Sequence, residues 1–455
     1  MKIIIVGAGK IGSTLAEQLS REGHDITIID QKKESIEELG SKLDIMVIEG
    51  NGVALPTLRE AGVETADLLI AVTASDERNL LACLIAKKAG ARHTIARVRS
   101  SEYAENLRLI KDDLGLSFSV NPEFATACEI ARVMRVPSAI KIDTFARGRV
   151  ELLKVRIAQD SPLAGLSLMD LGKFHARVLV CAVERGEKQV YIPDGQFRLE
   201  AGDRISFIAQ PKQAKVFFKQ IGVQKNPVKQ VMLIGGGRIA AGVARQMLDF
   251  GAEVKIIERD YSVCEALAEA LPHAVIIHGD GTDQQCLQEE GIEEMNAVAS
   301  LTGMDEENIL ISLYAAKHSS AKIITKINRS AFSDVISDME LGSVFYPRYI
   351  AADAILRYVR AMQNSVGSGV ETLYKIVGNK AEALEFRVTA GSCLRGVPLM
   401  NLPLRKNILI GSINRRGRIL IPGGQDTLEV GDTVVVVTGV TGLNELDDIL
   451  DKRRG

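Results

Sequence analysis

No stretch of this 455-residue sequence is apolar enough, for long enough, to cross a bilayer. Runs such as 68–72 and 434–437 fall far short of the roughly 20 apolar residues a membrane helix needs, and their length suits buried strands. A surplus of charge of either sign is also missing. Basic and acidic residues number 56 and 58, for a net of -2, so the chain exerts no global pull on nucleic acid or an anionic membrane, and duplex binding is not expected. The six cysteines, Cys83, Cys128, Cys181, Cys264, Cys286 and Cys393, contain no CxxC pair and lie in apolar contexts. Reduced core thiols are expected, without metal or redox duty. The opening Met1-Lys2-Ile3-Ile4-Ile5-Val6 meets Gly7 too early for the apolar segment of an export signal, so a cytosolic location is expected.

What is abundant is self-similarity. The glycine loop GAGKIG at 7–12 returns as GGGRIA at 235–240, and Asp30 returns as Glu258, both displaced by 228. Gly50-Asn51-Gly52 matches Gly279-Asp280-Gly281 at a displacement of 229. The same 229 relates Thr73-Ala74-Ser75-Asp76 and Asn79 to Thr302-Gly303-Met304-Asp305 and Asn308. It also carries Ile192-Pro193 and Gly202-Asp203 onto Ile421-Pro422 and Gly431-Asp432. A chain of this length exceeds what one hydrophobic core fills, and here the excess is a duplication.

Within each half, short apolar strands alternate with amphipathic helices, the pattern of a parallel sheet covered on both faces. The strands read as 2–6, 25–29, 44–48, 68–72 and 93–98, then 230–234, 253–257, 274–277, 297–301 and 322–327. Helices at 123–135 and 348–362 lead out of each sheet. Beyond them Leu153, Val155 and Ile157 alternate with Lys154 and Arg156, a half-exposed strand. Short helices at 166–171 and 397–402 follow, then strands separated by tight glycine turns. The expected fold is α/β: two tandem copies of a doubly wound parallel-sheet Rossmann domain, each followed by a small α+β domain. The domains would be 1–138, 139–224, 228–366 and 367–455, with Lys225-Asn226-Pro227 at the junction of the halves and Lys452-Arg453-Arg454 as a solvated tail.

GAGKIG directly follows a strand and opens a helix at 10–20. Gly7 makes the bend, Gly9 lets backbone approach a diphosphate, Gly12 lets helix pack on strand, and the positive helix end holds the phosphates. Asp30, 23 residues beyond Gly7, ends the second strand where a carboxylate can accept from both ribose hydroxyls. Thr73 and Ala74, and in the second copy Thr302 and Gly303, follow the fourth strand at the edge where ligands of open sheets lie; an ordinary turn and cap competes with that role. Arg97 and Lys326 end the fifth strands and can reach a phosphate, as can Lys10 and Arg238 in the loops. Asn51 and Asp280 touch the adenosine or serve their turns. In the second copy Ala240 replaces the packing glycine while Glu258 keeps the acid. An acid there repels a 2′-phosphate, although Lys32 and Arg259 stand close by.

A dehydrogenase needs a general acid or base beside its nicotinamide. No histidine recurs at the repeat offset in a polar motif, His175 and His318 read as single surface residues, and HExxH, P-loop and GxSxG motifs are absent. An NAD-dependent oxidoreductase is therefore the alternative reading rather than the first. A redox-sensing transcription regulator is opposed by the near-neutral charge and by the lack of a helix-turn-helix segment.

Three stretches, GAGKIG with Asp30, Thr73-Ala74-Ser75-Asp76-Glu77-Arg78-Asn79 and Ile95-Ala96-Arg97-Val98-Arg99, together with their second-half partners, make the chain resemble the potassium-conductance regulator (RCK/KTN) family over its whole length. The resemblance implies a non-enzymatic, cytoplasmic regulator, peripheral to the inner face of the cell membrane. It implies assembly into a homo-oligomer, a tetrameric ring, beneath a membrane potassium channel or transporter that is gated by bound NAD(H) or ATP/ADP. It further implies a first nucleotide site of Gly7, Ala8, Gly9, Lys10, Ile11, Asp30, Thr73, Ala74 and Arg97. The second would comprise Gly235, Gly236, Gly237, Arg238, Ile239, Glu258 and Lys326, with Ala240 and Gly303 departing from the pattern.

Overall fold

The computed structural model describes residues 1–135, 141–145, 149–186, 189–222, 228–329, 335–336, 339, 341–364, 370–375, 381–439, 443 and 445–451. The Lys225-Asn226-Pro227 junction and the Lys452-Arg453-Arg454 tail lie outside the described residues.

The first sheet is built from β1 (Lys2–Val6), β2 (Asp25–Asp30), β3 (Met46–Glu49), β4 (Leu68–Ala71), β5 (His93–Arg97) and β6 (Phe118–Val120). Its spatial order is β3-β2-β1-β4-β5-β6, with every pair parallel. Ile3, Ile4 and Ile5 of β1 are all buried, as a parallel strand covered on both faces requires. The order reverses between β1 and β4, so a crevice opens at the carboxyl ends of those strands. Neither sixth strand was foreseen, because three residues are too few for an alternation pattern to register. The third strand starts at Met46, later than the sequence suggests.

The small domain that follows pairs β7 (Lys141–Phe145), β8 (Val150–Arg156), β9 (Val178–Arg185), β10 (Gln189–Tyr191) and β11 (Arg204–Ala209) in the order β10-β9-β11-β8-β7, all antiparallel. The second half then repeats both sheets. Strands β12 (Gln230–Ile234), β13 (Glu253–Glu258), β14 (Val275–His278), β15 (Ala297–Ser300), β16 (Lys322–Lys326) and β17 (Ser343–Phe345) pair in the order β14-β13-β12-β15-β16-β17. Strands β18 (Val370–Lys375), β19 (Glu382–Arg387), β20 (Ile408–Arg415), β21 (Arg418–Leu420) and β22 (Thr433–Thr438) pair in the order β18-β19-β22-β20-β21, which is the first small sheet read from its other edge.

The short helices expected at 166–171 and 397–402 are 3-10 turns instead, at Leu168–Phe174 and Leu399–Asn401. Such short pieces lack the length that makes an α-helix pay back its nucleation. Cysteine burial is also less uniform than expected. Cys83, Cys181 and Cys264 are buried, Cys128 and Cys286 half-buried, and Cys393 is exposed in the turn after β19. Burial pushes the Cys83 thiol up to about 12.

Like packs with like across the duplication. One compact unit holds Met1–Ala131 with Lys229–Tyr358, the two parallel sheets, and the other holds Arg132–Val228 with Val359–Gly455, the two small sheets. In the first unit Phe118 stacks on Tyr358 with ring centroids 4.8 Å apart, and a methyl on Gly242 would stand 2.8 Å from that of Ala127. In the second unit Phe145, Val150, Leu152 and Ile208 share one apolar cluster with Ala381, Ala383, Val435 and Val437. Arg149 Nη1 donates to the carbonyl of Gly417 at 2.8 Å, and Gln210 Nε2 to that of Ile419 at 3.0 Å.

The recurring Gly-Asp pairs of the small domains explain themselves as scaffolding. Asp203, 2% exposed, accepts from Arg185 Nε at 2.9 Å, from Arg185 Nη2 at 2.8 Å and from the Glu200 amide at 2.8 Å. Asp432 does the same with Arg415 and the Glu429 amide. Asp203→Ala leaves a half-exposed guanidinium and a backbone N–H without their acceptor and is expected to cost about 2–3 kcal/mol. A urea titration followed by circular dichroism reads this as an earlier midpoint, and an unchanged midpoint would show the pair to be dispensable.

Candidate functional site

The turn between β1 and the helix Lys10–Arg21 crosses the top of the sheet almost in contact with it. Gly7 sits at φ +108°, and a Cβ there would lie 3.0 Å from the Thr73 amide nitrogen. At Gly12 a Cβ would fall 1.8 Å from the Gly7 carbonyl oxygen, so only glycine fits this backbone. Gly9 is the opposite case, with nothing within 4 Å of where its Cβ would be. Its openness faces a crevice. No side chain caps the helix that Gly9 begins and no acid stands in its first turn, so the positive helix end meets that space without an internal anion.

The crevice has a volume of about 700 Å³, within the range of small-molecule sites. Of the expected residues it is lined by Gly7, Gly9, Lys10, Ile11, Asp30, Thr73, Ala74 and Arg97. Ala8 differs: it is buried, and its N–H donates to Asp30 Oδ2 at 2.6 Å. Asp30 Oδ1 accepts from the Lys32 amide at 2.9 Å, which fixes the carboxylate at the lip of the crevice. Asn51 also lines it, with its Oδ1 3.3 Å from the Val53 amide, and so does Gly52, whose Cβ would strike Val6 Cγ1 at 2.1 Å. At Gly52 the absence of a side chain is thus a packing requirement.

Arg97 is the cation at the far end. Its Nε and Nη2 are buried without a hydrogen-bond partner among the described residues. Burial, and after it the guanidinium of Arg99, pull its pKa below the usual arginine value, with Arg238 of the second copy adding to the effect. A buried guanidinium with open donors is poised for an anion, whose oxygens match its planar fork. Arg99 is already engaged, with Nε 2.7 Å from Glu123 Oε1.

Asn79 holds this edge of the crevice together. Fully buried, it accepts from the Thr73 amide at 2.8 Å and from the Thr73 hydroxyl at 2.7 Å, and its Nδ2 donates to the carbonyls of Thr73 and Arg97. Asn308 makes the same amide bond to Thr302 and the same bonds to the carbonyls of Thr302 and Lys326. Its recurrence was visible in the sequence; its role as a latch between β4 and β5 was not. The sequence also gave no role to Arg78, Arg99 and Glu123, or to Asn328, Pro347 and Arg348, all of which line the crevice. The last three come from the second copy, so no local spacing could have signalled them.

The second copy rebuilds the loop. Gly235 sits at φ +95°, Gly237 has open space, Ile239 is buried, and Arg238 begins an uncapped helix. Glu258 Oε2 accepts from the Gly236 amide at 2.5 Å and Oε1 from the Asp260 amide at 2.9 Å. Ala240 is buried where Gly12 stands in the first copy. Gly303 follows Thr302 in open space. Asp280 serves its turn, accepting from the Thr282 amide at 2.9 Å. Lys326 does not reach out as Arg97 does. Its amine donates to the Leu301 carbonyl at 3.0 Å, and burial lowers its pKa.

Among the described residues, no histidine, cysteine or tyrosine lines the first crevice. His175 takes a left-handed backbone at φ 44° and His318 stacks on Tyr314. Among the described residues, no helix is long and apolar enough to cross a membrane, and no group of three or more His, Cys, Asp or Glu could hold a metal ion.

Two Rossmann modules, each followed along the chain by a small antiparallel domain, define a tandem architecture. The TrkA-N domain model matches residues 3–119 and 231–347, and the TrkA-C domain model matches 152–222 and 383–451; the chain belongs to the TrkA family. It is 34% identical to the Trk system potassium uptake protein TrkA of Haemophilus influenzae, covering 96% of this chain and 95% of that one. It is 32% identical to the Trk system potassium uptake protein TrkA homolog 1 of Methanosarcina mazei, over 98% of this chain and 99% of the relative. Among solved structures, the fold is similar to the GsuK RCK domain (TM-score 0.62, 19% identity, covering 96% of this chain and 91% of that chain). It is also similar to the GsuK channel bound to NAD (TM-score 0.61, 19% identity, covering 96% and 76%).

Asn79→Ala removes a side chain that ties the residue after β4, Thr73, to the last residue of β5, Arg97. Leaving several backbone groups unpaired is expected to cost about 2–4 kcal/mol. Differential scanning calorimetry checks it, and a transition temperature within a degree of the parent would count against the latch.

Proposed function

We propose that this chain is the regulatory subunit of a Trk-type potassium uptake system. It binds NAD(H), ATP or ADP in its Rossmann crevices and gates a membrane-embedded potassium channel or transporter from the cytoplasmic face, sensing without catalysing. The potassium system is carried by the likeness to Trk system potassium uptake proteins. The observation that carries the nucleotide is the pairing, across one crevice, of a fixed carboxylate at Asp30 with the open, buried donors of Arg97. An adenosine ribose meets the acid, the diphosphate lies on the uncapped helix end at Gly9–Ile11, and the remaining charge runs toward Arg97.

The same reading assigns Gly7, Ala8, Gly9, Lys10, Ile11, Thr73 and Ala74 to the first site, Ala8 by holding Asp30. It assigns Gly235 to Ile239, Glu258 and Lys326 to a second one, and divides the chain into domains at 1–138, 139–224, 228–366 and 367–455. Four chains closing as a ring would present eight crevices to one partner. A ligand can shift a conformational equilibrium only through its differential affinity for two states. Asn328, Pro347 and Arg348 of the second module line the first crevice, so an occupant's binding energy depends on how the two modules are placed. Couplings of this kind are typically about 1–3 kcal/mol per site, about 5- to 150-fold.

Isothermal titration of NAD, NADH, ATP and ADP into the full chain tests the proposal. Saturable binding is expected, weakened at least about tenfold by Asp30→Ala through the lost ribose contacts. Gly9→Val, which adds bulk only to open space, is expected to abolish binding at the first crevice while leaving the melting temperature close to the parent's. Binding untouched by Asp30→Ala, Glu258→Ala and Gly9→Val alike would overturn the assignment. Rubidium flux into vesicles carrying the partner transporter, with and without nucleotide, reads the gating.

A further inference from the structure

The two modules repeat one glycine loop but not one charge. Lys32 and Arg78 line the first crevice, and the residues in the same register of the second module are Asp260 and Glu307. Asn51 is matched by Asp280 and Arg99 by Asn328, while Arg259 in place of Gln31 and Arg348 in place of Glu123 change in the positive direction. Hydrogen bonds hold two of these acids below the usual carboxylate range, from the Ser262 hydroxyl to Asp260 and from the Thr282 amide to Asp280. The cation at the end of the fifth strand differs in state as well as in kind. Arg97 keeps buried nitrogens open, whereas the Lys326 amine is spent on the Leu301 carbonyl.

Resting on the nucleotide-binding reading above, we infer that the crevices sort ligands by charge: the first takes nucleoside triphosphates, and the second excludes them. With an adenosine seated at Asp30 and its inner phosphates on the loop, the outer phosphates extend past the switch point to the ends of β4 and β5. Arg78 and Arg97 stand there in the first copy. In the second copy the same path leads to Glu307, and like charges at close range oppose binding. A dinucleotide places an uncharged ribose at that point, so the second crevice selects against the triphosphate and not against every nucleotide. One chain thereby reads two chemically different ligands, instead of one ligand twice.

Calorimetric titration of ATP into the full chain, with NADH titrated in parallel, tests this. The expected stoichiometry is one ATP per chain, weakened at least about tenfold by Arg78→Glu. The double variant Asp260→Lys with Glu307→Arg is expected to gain a second ATP per chain. Both positions reach solvent, and melting curves verify that each variant is folded. Two ATP of equal affinity in the parent chain, or a single ATP that resists Arg78→Glu, would overturn the sorting while leaving nucleotide sensing intact. If neither ATP nor NADH binds the parent, the sensing proposal falls with it.

Discussion

The first crevice exists because a loop of backbone lies directly on the end of a sheet. Gly7, at φ +108°, would bring a Cβ to 3.0 Å from the Thr73 nitrogen, and Gly12 would drive one into the Gly7 carbonyl. With both side chains absent, the helix at Lys10 starts against the sheet with its end uncapped. The Ala8 amide then reaches Asp30, and Gly52 comes close enough to Val6 to close the floor. Bulk at Gly7 would press on Thr73 and lift the loop from the sheet.

Duplication adds a second constraint. The two parallel sheets gather in one unit and the two small sheets in the other, so each domain packs on its own copy. In the first unit this brings Asn328, Pro347 and Arg348 into a crevice whose floor belongs to residues some 300 positions earlier. The site is therefore a property of the paired modules. That arrangement gives an occupant leverage over their mutual placement, which is the physical requirement for a sensor.

Residues that recur in both halves divide into two kinds. Asn79 and Asn308 tie strand ends, and Asp76 and Asp305 accept the amides that follow β5 and β16. Asp203 and Asp432 anchor arginines in the small sheets. These are scaffold, preserved within the chain because the backbone has the same unpaired groups in each copy. Lys32, Arg78 and Arg97, which differ from their counterparts Asp260, Glu307 and Lys326, line the first crevice.

Periodicity and glycine spacing, which are local properties, determined the alternation of strands and helices, the doubling, the loop at 7–12 and the acid at Asp30. They sufficed because a strand, a turn and a helix each span only a few residues. The three-residue β6 and β17, the 3-10 turns and the exposure of Cys393 escaped that reading, since none leaves a periodic trace. Only the tertiary structure decided that Asn79 is a latch, that Lys326 bonds to its own sheet while Arg97 stays open, and that Arg348 belongs to the first crevice. Those outcomes depend on which distant groups meet and which are left without a partner. Chain spacing carries no record of either.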